Sequence, residues 1–453
     1  MEQRKRDARA DGLPPDAPGQ SGRAIVIEPW LKRPSGRGVT DDDPRTPEGR
    51  LDEAMGLARA IDLTVVEGGL VTLNTVRPAT YIGTGKVDEI AGLTKSLDAG
   101  VVIMDCAVSP VQQRNLEKAW NAKVLDRTGL ILEIFGRRAR TREGALQVEH
   151  AHLTYQKSRL VRSWTHLERQ RGGFGFLGGP GETQLEADRR VIEDRLRRIE
   201  AELDKVKRTR KLHRDSRKRV PYPIVALVGY TNAGKSTLFN RMTSATVLSA
   251  DMLFATLDPT LRALELPQGT RVILSDTVGF ISDLPTMLVA AFRATLEEVI
   301  EADVILHVRD MSHVESGAQS QDVVKILGEL GIEPNDLRLI EVWNKIDRLD
   351  ADARAGLMAT AQRQAAGQRP VPISAITGEG IEALEAAIQA RLAERRLTLA
   401  VTLDPADGAG LSWIYRHAEV LEREFGDDGL MHVTVRADAD NAARLRAKFP
   451  SDA

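Results

Sequence analysis

The feature that most constrains this chain is an eight-residue loop from Gly229 to Ser236, with the sequence Gly-Tyr-Thr-Asn-Ala-Gly-Lys-Ser. The apolar run Ile224–Val228 before it predicts a buried strand, and the stretch Ser236–Arg241 after it predicts a helix. A strand, a glycine-rich loop and a helix in this order form a phosphate-binding loop, because the N–H groups at the helix start face the anion. In such a loop Lys235 neutralises phosphate oxygens and Ser236 offers a hydroxyl to Mg²⁺.

A second motif, Asn344-Lys-Ile-Asp347, follows the apolar run Leu339–Trp343 and indicates which base is bound. An aspartate at its end can accept hydrogen bonds from two N–H donors of guanine, a pair that adenine lacks. Taken alone, the motif could equally be a guanine-binding motif or an ordinary loop with a capping aspartate. Because it follows a phosphate-binding loop, guanine binding is favoured. Ser374-Ala-Ile376, after the short strand predicted at Val371–Ile373, suits a backbone contact to the guanine oxygen.

Two further segments are typical of a switch that senses the γ-phosphate. Asp276-Thr-Val-Gly279 ends the strand predicted at Arg271–Ser275; its aspartate can hold Mg²⁺ through water and its glycine N–H can bind the γ-phosphate. Before it lies the segment Phe254–Thr260, where a threonine could ligate Mg²⁺ only while the γ-phosphate is present. Thr256 and Thr260 both qualify, and spacing does not decide between them.

The hydrolytic machinery lacks a familiar part. Phe280 follows Gly279 where many GTPases carry a glutamine that orients the attacking water, which a phenyl ring cannot do by hydrogen bonding. We therefore expect hydrolysis to be slow by itself or to be completed from elsewhere. Asn232 is a candidate ligand for a monovalent cation such as K⁺, which could supply the positive charge that an arginine finger supplies in other GTPases. An equally good interpretation is that Asn232 is a turn residue whose side chain tolerates the backbone conformation.

Length and composition place this site in a chain of several domains. The chain has 453 residues, a formal net charge of −2 and a single cysteine, so it cannot form an internal disulfide. No run of about 18 apolar residues predicts a membrane-spanning helix, and the charged start of the chain is not a secretion signal. We expect a cytoplasmic protein in which Cys106 is a packing residue.

The first folded segment alternates predicted strands and helices, which is typical of an α/β domain. The strands are predicted at Ala24–Glu28, Asp62–Val66, Val101–Met104 and Lys123–Leu125, and the helices at Leu51–Ala60, Val87–Leu97 and Pro110–Trp120. Gly83-Thr-Gly-Lys86 lacks the spacer of a phosphate-binding loop, so a glycine turn that caps a helix is the better interpretation. Residues 1–23 are predicted to be a disordered tail, and Pro34–Arg50 a polar loop.

From Thr128 to Lys218 the chain becomes helical and charged, apart from a mobile glycine-rich loop at Gly172–Gly181. Beyond it, a spaced apolar stripe predicts a helical hairpin or short coiled coil, or almost equally a plain helix packed on the first domain; its members are Leu185, Ile192, Leu196, Ile199, Leu203 and Val206. Two basic runs, Arg137–Arg142 and Lys205–Arg219, flank the loop. Interleaved aromatic groups make RNA a candidate partner, alongside a merely solvated face: Trp164, His166, Phe174 and Phe176.

The predicted fold is α/β, with a P-loop nucleotide-binding domain between smaller domains. Its five segments are a tail (1–23), an α/β domain (24–127), a helical hairpin linker (128–220), a domain with a mostly parallel sheet and flanking helices (221–397) and a small α+β domain (398–453). In the last, strands are predicted at Leu399–Leu403 and Met431–Arg436, and helices at Ser412–Phe425 and Asp438–Lys448.

These motifs together resemble the HflX family of ribosome-associated GTPases over nearly everything from Ala24 onward. Three segments are similar to the family's GTPase motifs: Gly229–Asn240, Phe254–Thr260 and Asp276–Ile281. Others, which ordinary GTPases lack, are more specific and resemble the family's amino-terminal and linker regions: Tyr81–Lys86, Ser109–Asn115, Asp126–Gly129 and Gly179–Glu186.

The resemblance implies a Mg²⁺-dependent GTPase that binds GTP and GDP, the 50S ribosomal subunit and the 70S ribosome. It implies that the GTP form splits stalled ribosomes under stress such as heat, that hydrolysis releases it, and that the amino-terminal domain and Gly172–Gly181 reach rRNA. It favours Thr256 over Thr260 as the Mg²⁺ ligand beside Ser236. The predicted GTP-binding residues are Gly229, Tyr230, Thr231, Asn232, Ala233, Gly234, Lys235, Ser236, Phe254, Ala255, Thr256, Leu257, Asp258, Asp276, Thr277, Val278, Gly279, Asn344, Lys345, Ile346, Asp347, Ser374, Ala375 and Ile376.

Some features go beyond the family pattern or leave the function open. Phe280 matches a hydrophobic residue of the family, whereas Arg309 stands where the family more often has an apolar residue and is expected to affect strand packing. No family function extends to the longer polar tail. A monomer is expected, and weak association with a membrane surface is left open. Two alternatives remain: an RNA-binding or ribosome-assembly scaffold in which the nucleotide is structural, and a signalling GTPase with a protein partner.

Overall fold

The structure is a computed structural model that describes residues 22–32, 45–170, 180–217, 222–244, 253–254, 260–285, 296, 298–394, 397–426, 429–437 and 439–449. The chain divides into two compact units. Unit 1 comprises Met1–Leu203, Ala250–Asp258 and Asp283–Phe292, and unit 2 comprises Asp204–Ser249, Pro259–Ser282 and Arg293–Ala453. The five segments predicted from the sequence remain a prediction.

Unit 1 contains a four-stranded parallel sheet with the order β2-β1-β3-β4. Its strands are β1 (Arg23–Leu31), β2 (Thr64–Leu73), β3 (Val101–Met104) and β4 (Lys123–Asp126), connected in turn by helices α1 (Pro47–Arg59), α2 (Thr84–Ser96) and α3 (Pro110–Trp120). The predicted alternation is confirmed, with β1 and β2 longer than predicted. Parallel strands are covered on both faces, so they appear as apolar runs; Val102, Ile103 and Met104 have no exposed surface.

Two boundaries near the amino terminus differ from the prediction. β1 begins at Arg23, inside the predicted tail. The polar loop predicted at Pro34–Arg50 is wrong from Pro47 onward, because Thr46 caps α1 by accepting a hydrogen bond from the Gly49 N–H at 3.0 Å. Proline at the first helical position favours the same start. Residues 1–21 and 33–44 of these predicted segments lie outside the described residues.

Local signals explain the elements that were predicted well. α3 begins with a capping box, in which the Ser109 hydroxyl accepts from the Gln112 N–H and the Gln112 side chain accepts from the Ser109 N–H. Gly83 is the N-cap residue of α2, which confirms the helix-capping interpretation of that glycine turn. Cys106 packs against the core of this sheet, and burial raises the pKa of its thiol, so it is a packing residue as expected.

A buried ion-pair network lies beside this sheet and involves helix α4 (Arg127–Arg138). Arg127 donates to both carboxylate oxygens of Asp105, at 2.6 and 2.9 Å, and also pairs with Glu53. Glu28 on β1 accepts from Arg50 at 3.1 Å. Burial, together with the charge of Asp105, raises the pKa of Glu28 to about 9. The Glu28 carboxyl therefore holds a proton at neutral pH.

The charged segment after the sheet forms α4, α5 (Arg142–Gln170) and α6 (Pro180–Arg217). Helices α5 and α6 are antiparallel and joined by ion pairs, which confirms the hairpin interpretation: Arg142–Glu202, Glu149–Arg195, His150–Glu200 and Lys157–Glu193. Leu196 and Ile199 of the predicted stripe are buried. The predicted glycine loop overlaps α6 at Pro180 and Gly181, and its other residues, like the side chains of Trp164, His166, Phe174 and Phe176, lie outside the described part of the chain.

Unit 2 is built on a six-stranded sheet with the order β10-β9-β8-β5-β7-β6, parallel except for β6 against β7. The strands are β5 (Ile224–Gly229), β6 (Thr260–Glu265), β7 (Arg271–Asp276), β8 (Val304–Asp310), β9 (Leu339–Asn344) and β10 (Val371–Pro372); the helices are α7 (Lys235–Thr243), α8 (Ser316–Glu329), α9 (Ala351–Arg363) and α10 (Ile381–Glu394). The mostly parallel sheet is therefore confirmed. Open α/β sheets bind ligands beyond the carboxyl ends of such strands, where the strand order reverses. Here that position is beside β5.

The end of the chain forms a three-stranded antiparallel sheet, β11 (Leu397–Leu403), β13 (Met431–Ala437) and β12 (Glu419–Phe425), with helices α11 (Gly408–His417) and α12 (Ala439–Lys448). The α+β class is confirmed, but the helix predicted at Ser412–Phe425 is wrong beyond His417. Glu419–Phe425 instead pairs antiparallel with β13, the next strand in the chain, so strand pairing overrides the local helical pattern. Across the described part of the chain, no helix is long and apolar enough to cross a membrane.

Candidate nucleotide-binding site

The phosphate-binding loop follows β5, and two glycines permit its path. Gly229 has a φ of +150°, and a Cβ atom there would lie 2.2 Å from the backbone oxygen of Val308 on β8. Gly234 has a φ of +94°, and a Cβ atom there would lie 2.3 Å from Nδ2 of Asn344. Larger side chains would push the loop away from the neighbouring strands. Helix α7 begins at the next residue, so its first N–H groups lie at the loop.

Lys235 is buried at the base of this loop, and its ammonium donates to loop carbonyls. Its Nζ lies 3.1 Å from the Gly229 oxygen and 2.8 Å from the Tyr230 oxygen. Burial lowers the pKa of Lys235 to about 8, an effect that the nearby Asp276 opposes. A bound phosphate would supply the negative charge that stabilises the protonated amine.

The residues predicted to hold Mg²⁺ include a directly bonded pair. The Ser236 hydroxyl donates to Oδ2 of Asp276 at 2.7 Å. A hydroxyl and a carboxylate are hard oxygen donors, which suit Mg²⁺ together with phosphate oxygens and water. Among the described residues no group of three or more His, Cys, Asp or Glu forms an all-protein metal site. The donors present therefore fit a metal that is bound jointly with a nucleotide.

The predicted guanine motif is connected to the phosphate-binding loop through Asn344. Its Nδ2 donates to the Ala233 oxygen at 2.8 Å, and its Oδ1 accepts from the Ala375 N–H at 3.0 Å. One buried amide thus joins the phosphate loop to the segment Ser374–Ile376. Asp347 lies exposed in a short 3₁₀ helix, Ile346–Arg348, where its carboxylate is accessible.

Two residues near the predicted base site were missed by sequence reasoning. Asp310 ends β8 and accepts from Lys345 at 2.7 Å; an acidic residue directly after an apolar strand was a usable signal. Arg241 on α7 donates to the Ala375 oxygen at 3.1 Å and also bonds to the Ile376 oxygen. That contact spans more than 130 residues of sequence, so no local pattern could reveal it.

The segment after β7 pairs with the phosphate-binding loop through its backbone. The Phe280 N–H donates to the Gly229 oxygen at 3.1 Å, and the Thr231 N–H donates to the Phe280 oxygen at 2.7 Å. The Phe280 side chain is only 1% exposed. At the position where the sequence predicts a water-orienting side chain, the structure therefore has a buried ring with no hydrogen-bonding group.

The segment with the competing threonines is only partly described. Phe254 belongs to unit 1, where its ring packs edge-on against Phe135 with centroids 4.8 Å apart. The assignment of Phe254 to the nucleotide site stays a prediction. Ala255, Thr256, Leu257 and Asp258 lie outside the described ranges. Thr260 is the first residue of β6, opposite Asp276 on β7.

Asn232 and Arg309 occupy well-defined positions. Asn232 is exposed with a φ of +60°, a left-handed conformation that asparagine tolerates, as a turn residue requires.

Arg309 on β8 pairs with Glu341 on β9, which agrees with an effect on strand packing. Beside it, burial and the charge of Arg309 lower the pKa of His307 to about 3, so this imidazole is neutral.

The fold and the arrangement of these motifs define a P-loop GTPase, an enzyme that hydrolyses GTP. The chain is 50% identical over 378 residues to GTPase HflX of Magnetococcus marinus, covering 83% of this chain and 86% of that one. It is 44% identical over 374 residues to GTPase HflX of Escherichia coli, covering 83% and 86%. The chain therefore belongs to the HflX family of GTPases.

Four family models match in sequence order. They are described as GTP-binding GTPase N-terminal (residues 48–136), GTP-binding GTPase Middle Region (138–217), 50S ribosome-binding GTPase (224–345) and HflX C-terminal domain (359–451). Among solved structures, a GTP-binding protein from Sulfolobus solfataricus in complex with GDP is 22% identical with a TM-score of 0.43, covering 82% of this chain and 99% of that one.

Proposed function

We propose that this GTPase binds the 50S subunit and the 70S ribosome in its GTP form, splits stalled ribosomes under stress, and leaves after hydrolysis. The buried Phe280 carries the proposal, because a site without a water-orienting side chain needs a partner to complete it. The match of residues 224–345 to the 50S ribosome-binding GTPase model supports a ribosomal partner. GTP binding itself does not require that partner.

In this proposal the site residues divide the work between phosphate, metal and base. Loop amides and Lys235 bind the phosphates, while Ser236 and Thr256 ligate Mg²⁺, which would neutralise charge on the phosphate oxygens. The Gly279 N–H contacts the γ-phosphate, and loss of that phosphate releases the contact. Asp347 accepts the guanine N–H donors. Asn344 keeps these two ends of the site in register through its bonds to Ala233 and Ala375.

Co-sedimentation with 50S subunits and 70S ribosomes tests the switch. We expect the protein to pellet with a non-hydrolysable GTP analogue and to remain largely in the supernatant with GDP. Asp347→Asn is the matched variant: it should lose the response to the guanine analogue and regain it with the xanthine analogue, because the base contact is reversed. Equal pelleting with GDP would contradict the switch. Unchanged guanine affinity in Asp347→Asn would contradict the base assignment.

Hydrolysis measured with and without ribosomes separates this function from the alternative of a ribosome-assembly scaffold. The buried Phe280 ring is the observation that favours the scaffold. Strong stimulation by 50S subunits supports a ribosome-completed enzyme. Ribosome binding without any stimulation of turnover would support a scaffold in which the nucleotide is structural.

We also propose that Asn232 contributes a K⁺ ligand. Asn232→Gly is a suitable test, because glycine adopts the left-handed backbone at φ +60° and removes the side-chain amide that would supply the oxygen ligand. If the oxygen binds K⁺, the variant should lose the difference in turnover between potassium and sodium buffers. Equal turnover of the unmodified protein in both buffers would remove the cation from the proposal.

A further inference from the structure

Thr231 in the phosphate-binding loop is a buried threonine whose hydroxyl differs from those of the other buried threonines. In the described part of the chain the buried threonines are Thr94, Thr231 and Thr277. The Thr94 hydroxyl donates to the Ile90 oxygen at 2.7 Å, and the Thr277 hydroxyl donates to the Leu227 oxygen at 2.5 Å. Thr231 is only 5% exposed, and its hydroxyl bonds to none of the described residues. A buried hydroxyl without a partner lowers the stability of the fold, so packing alone does not account for a threonine here.

The neighbours of Thr231 place its side chain where the loop meets the segment after β7. A Cβ atom on Gly279 would lie 2.8 Å from Cγ2 of Thr231 and 3.0 Å from Nζ of Lys235. The Thr231 N–H donates to the Phe280 oxygen at 2.7 Å, which holds the residue against this segment. The hydroxyl branches from the same Cβ atom as the Cγ2 methyl group, so it also lies beside Gly279.

The chemistry of a phosphate fits this unpaired hydroxyl. Lys235 and the Gly279 N–H are the groups proposed above for phosphate binding, with Gly279 at the γ-phosphate. An ionised phosphate oxygen only accepts hydrogen bonds, and a threonine hydroxyl has one O–H to donate. Hydrogen bonds to charged groups are also stronger than those between neutral groups. A γ-phosphate oxygen beside Gly279 therefore has the acceptor that the Thr231 hydroxyl lacks within the described part of the protein.

We propose that the Thr231 hydroxyl donates a hydrogen bond to a γ-phosphate oxygen and thereby favours GTP over GDP. GDP has no γ-phosphate, so its binding leaves this contact unmade. The proposal rests on the role proposed for Gly279, and it does not require ribosome association.

Nucleotide affinities of the full-length protein, measured without ribosomes, test the contact. Thr231→Val removes the hydroxyl and keeps the branched shape. It should lower the affinity for a non-hydrolysable GTP analogue about tenfold, the effect of one hydrogen bond to a charged group, and leave the GDP affinity unchanged. Thr231→Ala should show the same loss without added bulk, whereas Thr231→Ser keeps the hydroxyl and should retain the preference for the GTP analogue. An equal loss for both nucleotides in Thr231→Val, or no loss, would overturn the proposal.

Stability without nucleotide gives a second readout, with Thr94→Val as the matched control. Thr231→Val should not lower the urea midpoint of unit 2, because no hydrogen bond within the protein is lost. Thr94→Val should lower the urea midpoint of unit 1, because the bond to Ile90 is lost, and should leave both nucleotide affinities unchanged. A lower midpoint in Thr231→Val would show that its hydroxyl has a partner within the protein, which would overturn the proposal.

Hydrogen exchange at the Gly279 amide tests the underlying assignment separately. If this N–H contacts the γ-phosphate, the GTP analogue should slow its exchange more than GDP does. Slower exchange at Gly279, combined with equal effects of Thr231→Val on both nucleotides, would overturn the role of Thr231 alone. Equal exchange with both nucleotides would remove the role of Gly279 and the proposal with it.

Discussion

Replacing Gly229 by alanine is the most direct test of how the phosphate-binding loop is held. The added Cβ would lie 2.2 Å from the Val308 backbone oxygen, and reaching a tolerable 3.0 Å requires a displacement of about 0.8 Å between β5 and β8. Neither atom belongs to a flexible side chain. Overpacking of this kind costs about 1–3 kcal/mol, and the φ of +150° adds strain of about 1–3 kcal/mol for a residue with a Cβ.

We therefore expect Gly229→Ala to lower the free energy of unfolding of unit 2 by about 2–6 kcal/mol. It should also weaken GDP binding, because the Gly229 oxygen accepts hydrogen bonds from Lys235 and Phe280. Urea denaturation with and without GDP identifies the transition of this unit as the one that GDP shifts. Titration with a fluorescent GDP derivative measures the affinity.

Gly328→Ala is the matched control in the same unit. Gly328 lies in α8, and a Cβ atom there meets no atom within 4 Å. Alanine should stabilise this helix by about 0.5–1 kcal/mol and leave GDP affinity unchanged. If Gly229→Ala were as stable as the unmodified protein and bound GDP equally well, the close approach to Val308 would not govern the loop.

Two further predictions concern ionisable side chains that are buried or partly buried. Glu28 keeps a proton in the folded state up to about pH 9, whereas the unfolded chain releases it near pH 4.5, so stability should fall as pH rises between these values. Glu28→Gln should flatten that slope by up to about 1.4 kcal/mol per pH unit in urea denaturation; an unchanged slope would show that Glu28 is ionised in the folded protein. Glu341→Gln should destabilise unit 2 by about 1–3 kcal/mol, because Arg309 loses its ion-pair partner. Replacing both Arg309 and Glu341 by leucine should lower the free energy of unfolding less than Glu341→Gln alone, because no charge is then left without a partner. A double-mutant cycle that shows no coupling between the two residues would contradict this.

The elements predicted best from the sequence have strong local signals. The bounds of β3 and α3 agree with the prediction, because a short apolar run and a Ser-Pro helix start define them locally. The motifs of the nucleotide site were also recognisable, since each is a short run of fixed residue types directly after an apolar strand. Phosphate and guanine chemistry restrict those residue types, so their order alone indicated GTP.

The element near the end of the chain was predicted poorly, because its pairing with another strand decides its structure. Glu419–Phe425 alternates too weakly to indicate a strand, and becomes β12 only by pairing with β13. The Phe254 ring packs against Phe135, more than 100 residues away in the chain, a contact that its sequence neighbours do not indicate. Strand pairing and side-chain packing depend on which segments come into contact in the fold, and a short stretch of sequence does not indicate its partner.

The sequence by itself determined that this protein is a P-loop GTPase, and it predicted the parts of the site: a loop for phosphate, a hydroxyl and a carboxylate for Mg²⁺, an aspartate for guanine, and a phenylalanine in place of glutamine. The tertiary structure alone decided how these parts are joined. Asn344 bridges Ala233 and Ala375, and the Tyr230 hydroxyl holds Ser282, across 31 to 111 residues of chain. Hydrogen bonds require atoms within about 3 Å in a suitable direction. Only the folded sheet brings such distant residues to that distance.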